Sequence, residues 1–234
     1  MKDTLIITGA SRGIGKATAI HFAKNKWNVV NLSRNPCSYK IVNNLTVDLT
    51  EKGWNVQHEE SIKKALKDCG RISLVHNAGL LVKDSVCDMS IGTLREVLEI
   101  SLIAPTILNN MIIPMMKKGS SILYIGSTLS EKAVRDTASY VTAKHGVNGL
   151  MRATCQDLHG KGIHTACICP GFTETEMLFT HLGENQHIID TIAESMSEKR
   201  LIQPEEMAEF IFYCANSPVI NGATLHAHLG QIEH

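Results

Sequence analysis

Residues 4–15 read TLIITGASRGIG, and this stretch decides the fold class. The run TLIIT (4–8) is short and apolar, as expected of a buried strand, and glycines 9, 13 and 15 follow it directly. Glycine permits positive φ and a close approach of backbone, and a helix that starts near Gly13 presents free N–H groups and a positive dipole end. The stretch predicts a strand, turn and helix that can receive a phosphate, although an ordinary glycine-rich turn has the same composition.

Short apolar runs alternate with segments of helical period along the rest of the chain, which is typical of βαβ units and a parallel sheet. Seven strands are predicted, at residues 4–8, 27–33, 44–49, 72–77, 121–127, 163–170 and 223–229. Helices are predicted at 13–25, 57–69, 91–117, 137–160 and 204–216. We expect one α/β domain over residues 1–234, with a doubly wound seven-stranded parallel sheet, helices on both faces and a substrate lid at 173–200.

Composition favours a small-molecule ligand. Lysine and arginine number 23, as do aspartate and glutamate, so the formal net charge is zero and nothing in it attracts nucleic acid or an anionic membrane. The seven cysteines lack paired CxxC or Cys/His spacing, which argues against a disulfide framework and against a metal site. Cys167 and Cys169 stand in the apolar run ACICP and are expected on one face of a strand, in the core.

Two features favour a cytoplasmic protein with reduced thiols. The first apolar run begins at Leu5, which leaves no room for a signal sequence. Residues 100–116 (ISLIAPTILNNMIIPMM) are the one stretch that suggests a membrane helix, but they contain two prolines and two asparagines. We therefore expect a buried helix there.

Polar residues or glycine lie at or just after the ends of the predicted strands, where open parallel sheets bind their ligands. These residues are Arg12, Arg34, Asp48, Asn77, Ser127 and Pro170-Gly171. Their shared position predicts one site at the carboxyl edge of the sheet.

Four motifs, in order along the chain, resemble those of the short-chain dehydrogenase/reductase family. TGASRGIG (8–15) resembles the family's TGxxxGxG cofactor loop, and HNAG (76–79) resembles its NNAG. Tyr140 and Lys144 form YxxxK, and PGFTETEM (170–177) carries the proline, glycine and threonine of the fourth motif. The resemblance implies a single Rossmann domain that binds a nicotinamide cofactor and a small carbonyl or alcohol substrate.

By this resemblance, several segments of the chain bind the cofactor. The residues are Gly9, Ser11, Arg12, Gly13, Ile14, Gly15, Ser33, Arg34, Asp48, Leu49, Asn77, Ala78, Gly79, Tyr140, Lys144, Pro170, Gly171, Thr173 and Thr175. NAD-binding members usually carry an acidic residue at the end of the second strand, where this chain has Ser33 and Arg34. A carboxylate would repel the 2′-phosphate of NADP, whereas a serine and the guanidinium groups of Arg12 and Arg34 would attract it. NADP(H) is therefore predicted over NAD(H), although solvated loop arginines would look the same.

Ser127, Tyr140 and Lys144 are the predicted catalytic residues. Tyr140 and Lys144 are four residues apart, so a helix places them on one face, and Ser127 precedes Tyr140 by thirteen residues, as the family's serine does. A free phenol has a pKa of about 10 and is a poor base at neutral pH, but a nearby ammonium group favours the phenolate. We expect Tyr140 to be the general acid/base and Lys144 to supply the charge. The resemblance implies that Lys144 also holds the nicotinamide ribose and that Ser127 bonds the substrate oxygen.

Two positions depart from the family's pattern. Ser101 stands where members usually have an asparagine that anchors a water of the proton relay, and a serine is shorter and lacks the amide's two donors. We expect Ser101 to keep a slower or rewired relay. His76 replaces the first asparagine of NNAG and is predicted to be packed or hydrogen-bonded, not an acid or base.

Several functions remain open at this stage. The first is an NADPH-dependent carbonyl reductase, with GSTLSEKA (126–133) and NGATLHAHLG (221–230) somewhat like the 3-oxoacyl-carrier-protein reductases. Lys117 and Lys118 are a small hint of the basic surface that a carrier protein would need, and a helix end complementing its dipole explains them equally. The second is a nucleotide-binding regulator with impaired catalysis, supported by Ser101 alone. The apolar faces of the long helices are compatible with a homodimer or homotetramer, and burial in the monomer explains the same pattern.

Overall fold

The computed structural model describes residues 1–183 and 185–232, and its centre is one sheet of seven strands. The strands are β1 Thr4–Thr8, β2 Asn28–Ser33, β3 Asn43–Thr46, β4 Ile72–His76, β5 Ser121–Ile125, β6 His164–Pro170 and β7 Ala223–Ala227. Their order is β3-β2-β1-β4-β5-β6-β7, and all neighbours are parallel. The predicted parallel sheet is confirmed, and its order reverses between β1 and β4, where sheets of this kind bind ligands.

Eight α-helices are described. They are α1 Gly13–Lys24, α2 Trp54–Ala65, α3 Ile91–Leu98, α4 Ala104–Ile112, α5 Ala138–Asp157, α6 Glu176–Leu182, α7 Gln186–Glu194 and α8 Pro204–Ala215. Of these, α2, α4 and α5 pack on one face of the sheet and α1 and α8 on the other. The start of α2 was predicted three residues too late, because Trp54 opens the helix and is only 1% exposed in the core. Segment 173–200, the predicted lid, forms α6 and α7, with Glu184 outside the described residues, as are the last two residues of the predicted domain.

The core has two layers, one on each face of the sheet. Residues that alternate along each strand belong to different layers: Ile6 of β1 packs with α2, α4 and α5, whereas Leu5 and Ile7 pack with α1 and α8. Burial on both faces explains why the strands read as continuous apolar runs. The doubly wound arrangement predicted from the sequence is therefore confirmed.

Helices α3 and α4 belong to one long apolar helix, Ile91–Met115, with a mean hydropathy of 1.5 over its most apolar window. Its length and composition would allow it to cross a membrane. In the fold, Val97, Ala104, Leu108 and Ile112 of this helix are fully buried in the protein. The core of the domain accounts for the apolar character of its inner face.

Candidate active site

The turn after β1 has a backbone that favours glycine. Gly9 and Gly13 have φ angles of 72° and 52°. A Cβ atom at Gly15 would collide with the carbonyl oxygen of Gly9 and lie 2.5 Å from Nδ2 of Asn77. Helix α1 starts at Gly13, after an extended Arg12, so its first N–H groups have no partner within the helix. The turn therefore has the tight backbone and the free N–H groups that a phosphate cradle requires, at the place where the sequence predicts one.

The HNAG segment braces the turn from the neighbouring strand. The side-chain amide of Asn77 donates to the carbonyl oxygens of Thr8 (2.9 Å) and Gly9 (3.0 Å). The N–H groups of Asn77 and Ala78 both donate to Oγ1 of Thr8 at 3.0 Å. The amide hydrogens of Asn77 are thus used inside the protein, so this predicted cofactor residue shapes the turn. Thr8 is the first residue of the TGxxxGxG motif, but it was not among the predicted site residues.

Ser33 and Arg34 lie at the end of β2, and Arg12 lies in the turn that follows β1. Arg12 and Arg34 are exposed, while Ser33 is only 9% exposed. The Ser33 hydroxyl donates to the carbonyl oxygen of Asn35 (2.5 Å) and accepts from Nδ2 of Asn31 (2.9 Å). Of the groups that were expected to attract a 2′-phosphate, the two guanidinium groups therefore remain accessible, whereas the hydroxyl is used internally.

Asp48 lies two residues beyond β3, at the same edge of the sheet. Its Oδ1 accepts from the N–H (2.9 Å) and the hydroxyl (2.7 Å) of Thr50. These hydrogen bonds, with the charge of Arg34 in a smaller role, lower the pKa of Asp48. Leu49 is 4% exposed in the core, so it can offer only backbone atoms to a ligand.

Ser127 follows β5 and caps a short 3₁₀ turn, Thr128–Ser130. Its Oγ accepts from the N–H of Leu129 (3.1 Å), and its own N–H donates to Oγ of Ser130 (3.1 Å). Gly126 has no room for a side chain, because a Cβ there would lie 2.8 Å from Sγ of Cys167. The Ser127 oxygen acts as an acceptor in the cap, so its hydrogen is free for donation to a ligand.

Lys144 joins the helix of Tyr140 to the strand that precedes Ser127. Its side chain is 5% exposed, and Nζ donates to the carbonyl oxygen of Ile125 at 2.7 Å. The same Nζ lies 5.4 Å from the centroid of the half-buried Tyr140 ring. A Cβ at Gly79 would lie 3.6 Å from Nζ, so the HNAG segment also reaches this position. The structure brings Tyr140 and Lys144 together with the loop that carries Ser127.

Ser101 lies in a π-helical turn, Glu99–Ile103, between α3 and α4. The residue is 4% exposed, and its neighbour Leu102 packs against Gly146 of α5, where a Cβ would lie 2.8 Å from Leu102 Cδ1. A π turn widens the helix locally and is frequent at functional sites. The position of Ser101 was predicted, whereas the π turn has no signal in its sequence.

Two buried thiols lie beneath the Ser127 turn. Sγ of Cys167 and Sγ of Cys169 are 3.8 Å apart on one face of β6, which confirms the predicted core packing. Hydrogen bonds from the Cys167 thiol, the Ser130 hydroxyl and the Ser127 N–H lower the pKa of Cys169, against the opposing effect of burial. Donation to Cys169 and burial raise the pKa of Cys167.

His76 belongs to a buried polar chain that is separate from the predicted catalytic groups. Its Nε2 bonds Oδ1 of Asn109 (2.9 Å), whose Nδ2 donates to the Tyr124 hydroxyl (2.7 Å), which bonds Thr154 (2.9 Å). Burial lowers the pKa of His76 to about 4. The prediction of a packed, hydrogen-bonded histidine is confirmed.

The segment after β6 closes one side of the phosphate turn. Gly171 donates to the carbonyl oxygen of Ala227 (2.8 Å), and Thr173 donates to that of Gly171 (3.1 Å). Thr175 caps α6, and a Cβ at Gly13 would lie 3.1 Å from its Cγ2. A cavity of about 290 Å³ lies between α1 and this segment. Residues 170–175 and the phosphate turn are therefore neighbours, as predicted.

The remaining predicted site residues lie in loops and strands already described. Ser11, Ile14 and Ala78 are half-buried residues of the two loops already described. Pro170 is the last residue of β6 and pairs with Ala227 of β7. Within residues 1–183 and 185–232, no group of three His, Cys, Asp or Glu side chains is placed to hold a metal ion.

Comparison with known proteins covers nearly the whole chain. The family model described as enoyl-(acyl carrier protein) reductase matches residues 9–231. The 3-oxoacyl-[acyl-carrier-protein] reductase FabG of Vibrio cholerae is 28% identical over 240 residues, which are 97% of this chain and 96% of the relative.

Solved structures agree with the sequence matches. Ligand-free aldohexose dehydrogenase of Thermoplasma acidophilum superposes with a TM-score of 0.89 at 25% identity, covering 98% of this chain and 93% of that one. ElxO with NADP bound superposes with a TM-score of 0.86 at 26% identity, covering 98% of each chain. Sequence and fold thus lead to one conclusion: the chain belongs to the short-chain dehydrogenase/reductase family, whose members are oxidoreductases that act on small molecules.

Proposed function

We propose that the protein is an NADPH-dependent oxidoreductase that interconverts a carbonyl compound and a secondary alcohol. The observation that carries this proposal is the buried ammonium group of Lys144, 5.4 Å from the Tyr140 ring centroid and bonded to the Ile125 carbonyl. A buried charge costs free energy unless a neighbouring group compensates it. The phenolate of Tyr140, formed as the proton leaves, is the compensating charge.

In the reductive direction, the Tyr140 hydroxyl gives its proton to the substrate oxygen as negative charge develops there. The free hydroxyl hydrogen of Ser127 donates to the same oxygen and orients the substrate. Bound NADPH supplies the hydride. In the oxidative direction, Lys144 stabilises the phenolate that accepts the alcohol proton. Ser101 is buried in the π turn beside α5, and it is proposed to belong to a slower proton relay that returns a proton to Tyr140.

NADP(H) rather than NAD(H) is the proposed cofactor. The lack of space for a Cβ at Gly15 and the free N–H groups of α1 suit a pyrophosphate. The exposed guanidinium groups of Arg12 and Arg34 suit the 2′-phosphate, and ElxO was solved with NADP bound. A ratio of kcat/KM for NADPH over NADH well above one is expected, and equal values would refute this preference.

The test of the reaction is a panel of carbonyl substrates, followed by NADPH consumption, with Tyr140→Phe as the blank. Loss of a general acid/base lowers turnover about 10²- to 10⁴-fold, so the variant is expected to lose the wild-type activity to that extent. Tight NADPH binding without turnover across carbonyls and alcohols would favour the impaired regulator instead. Turnover that survives Tyr140→Phe would refute the role of Tyr140.

The extent of the domain, the substrate lid, the location and the assembly are also proposed. We propose one domain over residues 1–234 with a substrate lid at 173–200, since α6 begins beside the phosphate turn. Seven free thiols support a cytoplasmic location, and exposed Ile91 and Ile103 on the long helix support a homodimer or homotetramer. Light scattering measures the oligomeric state, and a monomer at assay concentration would refute the assembly.

A further inference from the structure

The loop that follows the HNAG segment reaches the start of α5 through Asp84. One carboxylate oxygen of Asp84, Oδ1, accepts from the N–H of Ser139 at 3.0 Å. Its carbonyl oxygen accepts from the N–H of Ala138, and its own N–H donates to the carbonyl oxygen of Asp136, both at 3.1 Å. The two segments form an isolated parallel bridge between Asp84 and Thr137. Asp84 therefore bonds the backbone before and after Thr137, the residue that precedes α5.

Helix α5 takes its N-terminal cap from this distant residue. Thr137 occupies the N-cap position but makes no capping bond with its side chain, since its hydroxyl donates to the carbonyl oxygen of Val134 at 2.9 Å. The first N–H groups of a helix need acceptors from outside it, and a carboxylate also interacts favourably with the positive end of the dipole. Asp84 supplies both the backbone and the carboxylate acceptor.

Helix α5 is anchored at two points, at its first turn by Asp84 and at Lys144 by the carbonyl oxygen of Ile125. Tyr140 follows Ser139 directly and lies in the turn that Asp84 caps, whereas Lys144 lies one turn later and is tethered separately to Ile125 by its bond of 2.7 Å. Loss of the cap is expected to loosen the first turn and to move Tyr140. The Lys144 tether is expected to stay in place, and with it the proposed contact of Lys144 with the cofactor.

We propose that Asp84 is a positioning residue for Tyr140, acting through the first turn of α5. This inference rests on the proposed function, in which Tyr140 is the general acid/base. The HNAG segment thus braces the phosphate turn, and the loop that follows it orients the phenol through Asp84.

The side chain of Ser139 provides a matched control. Ser139 is fully buried, and within the part of the chain that the structure describes, its hydroxyl has no hydrogen-bond partner. Asp84 bonds the backbone of this residue, so Ser139→Ala keeps the cap, and Asp84→Asn keeps an acceptor oxygen at the same place. Asp84→Ala removes the acceptor.

The experiment compares these variants with the wild type in turnover and in NADPH binding. Asp84→Ala is expected to lower kcat about 10- to 100-fold, the range expected when a catalytic group is displaced by about 1 Å. The Kd for NADPH, from a fluorescence titration, is expected to rise by a much smaller factor than kcat falls, since Lys144 keeps its tether and only Tyr140, of the two predicted cofactor residues on α5, is displaced. Asp84→Asn is expected to recover most of the kcat, and Ser139→Ala is expected to match the wild type. Amide exchange of peptide 137–143 is expected to accelerate in Asp84→Ala only.

Unchanged kcat in Asp84→Ala, a parallel loss of kcat and NADPH affinity, or no recovery in Asp84→Asn would overturn the proposal. If Asp84→Ala does not fold, Asp84→Glu makes the same test, because its carboxylate is one methylene longer and displaces the acceptor. Wild-type kcat in that variant would overturn the proposal too. If the wild type itself shows no turnover, the proposed function fails, and the amide exchange alone decides whether Asp84 holds the start of α5.

Discussion

Gly15 and Gly149 are both helical glycines, and the space around them differs. An alanine Cβ at position 15 would collide with the carbonyl oxygen of Gly9 and approach Nδ2 of Asn77 to 2.5 Å. Among residues 1–183 and 185–232, no atom outside the helix backbone lies within 4 Å of a Cβ at Gly149, which is on the exposed side of α5. Gly15→Ala must therefore displace the phosphate turn, whereas Gly149→Ala displaces nothing.

The expected free energies follow from this difference. In a helix, alanine is more stable than glycine by about 0.5–1 kcal/mol, and both substitutions gain this amount. Gly15→Ala also overpacks the turn, which costs about 1–3 kcal/mol. We expect Gly149→Ala to raise the Tm by about 1–4 °C in a chain of this size. The net effect of Gly15→Ala is a loss of up to about 2.5 kcal/mol.

Thermal unfolding and titration of NADPH fluorescence measure the two consequences. Displacement of the phosphate turn is expected to raise the Kd for NADPH at least about tenfold in Gly15→Ala, which is 1.4 kcal/mol of binding free energy. Gly149→Ala is expected to bind NADPH like the wild type. Wild-type affinity in Gly15→Ala would refute the assignment of the turn to the cofactor, and a lower Tm in Gly149→Ala would refute the energy comparison.

Three further substitutions test other parts of the protein. Arg34→Ala is expected to raise the KM for NADPH about tenfold or more, since a hydrogen bond to a charged group contributes about 1.5–3 kcal/mol. The KM for NADH is expected to stay unchanged, and an equal rise in both KM values would contradict the 2′-phosphate contact. Ser101→Asn is expected to raise kcat and shift its pH profile, and no change in either would remove the support for a relay there. Burial lowers the pKa of His76 to about 4, whereas the same imidazole has a pKa of about 6.5 in the unfolded chain. As the pH falls below about 6.5, the imidazole therefore binds a proton in the unfolded chain but not in the folded one, and the free energy of unfolding of the wild type is expected to decrease. Urea unfolding at several pH values measures the free energy of unfolding of the wild type and of His76→Asn. The same pH dependence in both proteins would contradict the prediction.

Short-range patterns were sufficient for much of the fold, and together with the family resemblance they supplied the predicted site residues. The glycine turn, the apolar strands and the helix of Tyr140 and Lys144 depend on the preferences of neighbouring residues, which the sequence displays directly. Element ends were less accurate: β5 was predicted to run to Ser127 but ends at Ile125. The chain leaves the sheet there to form the 3₁₀ turn that Ser127 caps, and this turn depends on the packing of Ser130 against β6.

Other features depend on residues far apart in the chain, and no local pattern displays them. Asn31 holds Ser33 and also accepts from the N–H of Ala10 at 3.0 Å, so the serine expected at the 2′-phosphate is instead part of the core. The cap of α5 by Asp84 spans 55 residues.

The sequence by itself determined the α/β class, the parallel sheet and the glycine turn, because hydrophobic period and glycine conformation are local properties. The family resemblance supplied Ser127, Tyr140 and Lys144 as the predicted catalytic residues. The tertiary structure decided the strand order, the burial of Ser33, the π turn at Ser101 and the cap that Asp84 provides. Each of these depends on which distant segments share the limited space at the carboxyl edge of the sheet, and on where their buried polar groups find partners.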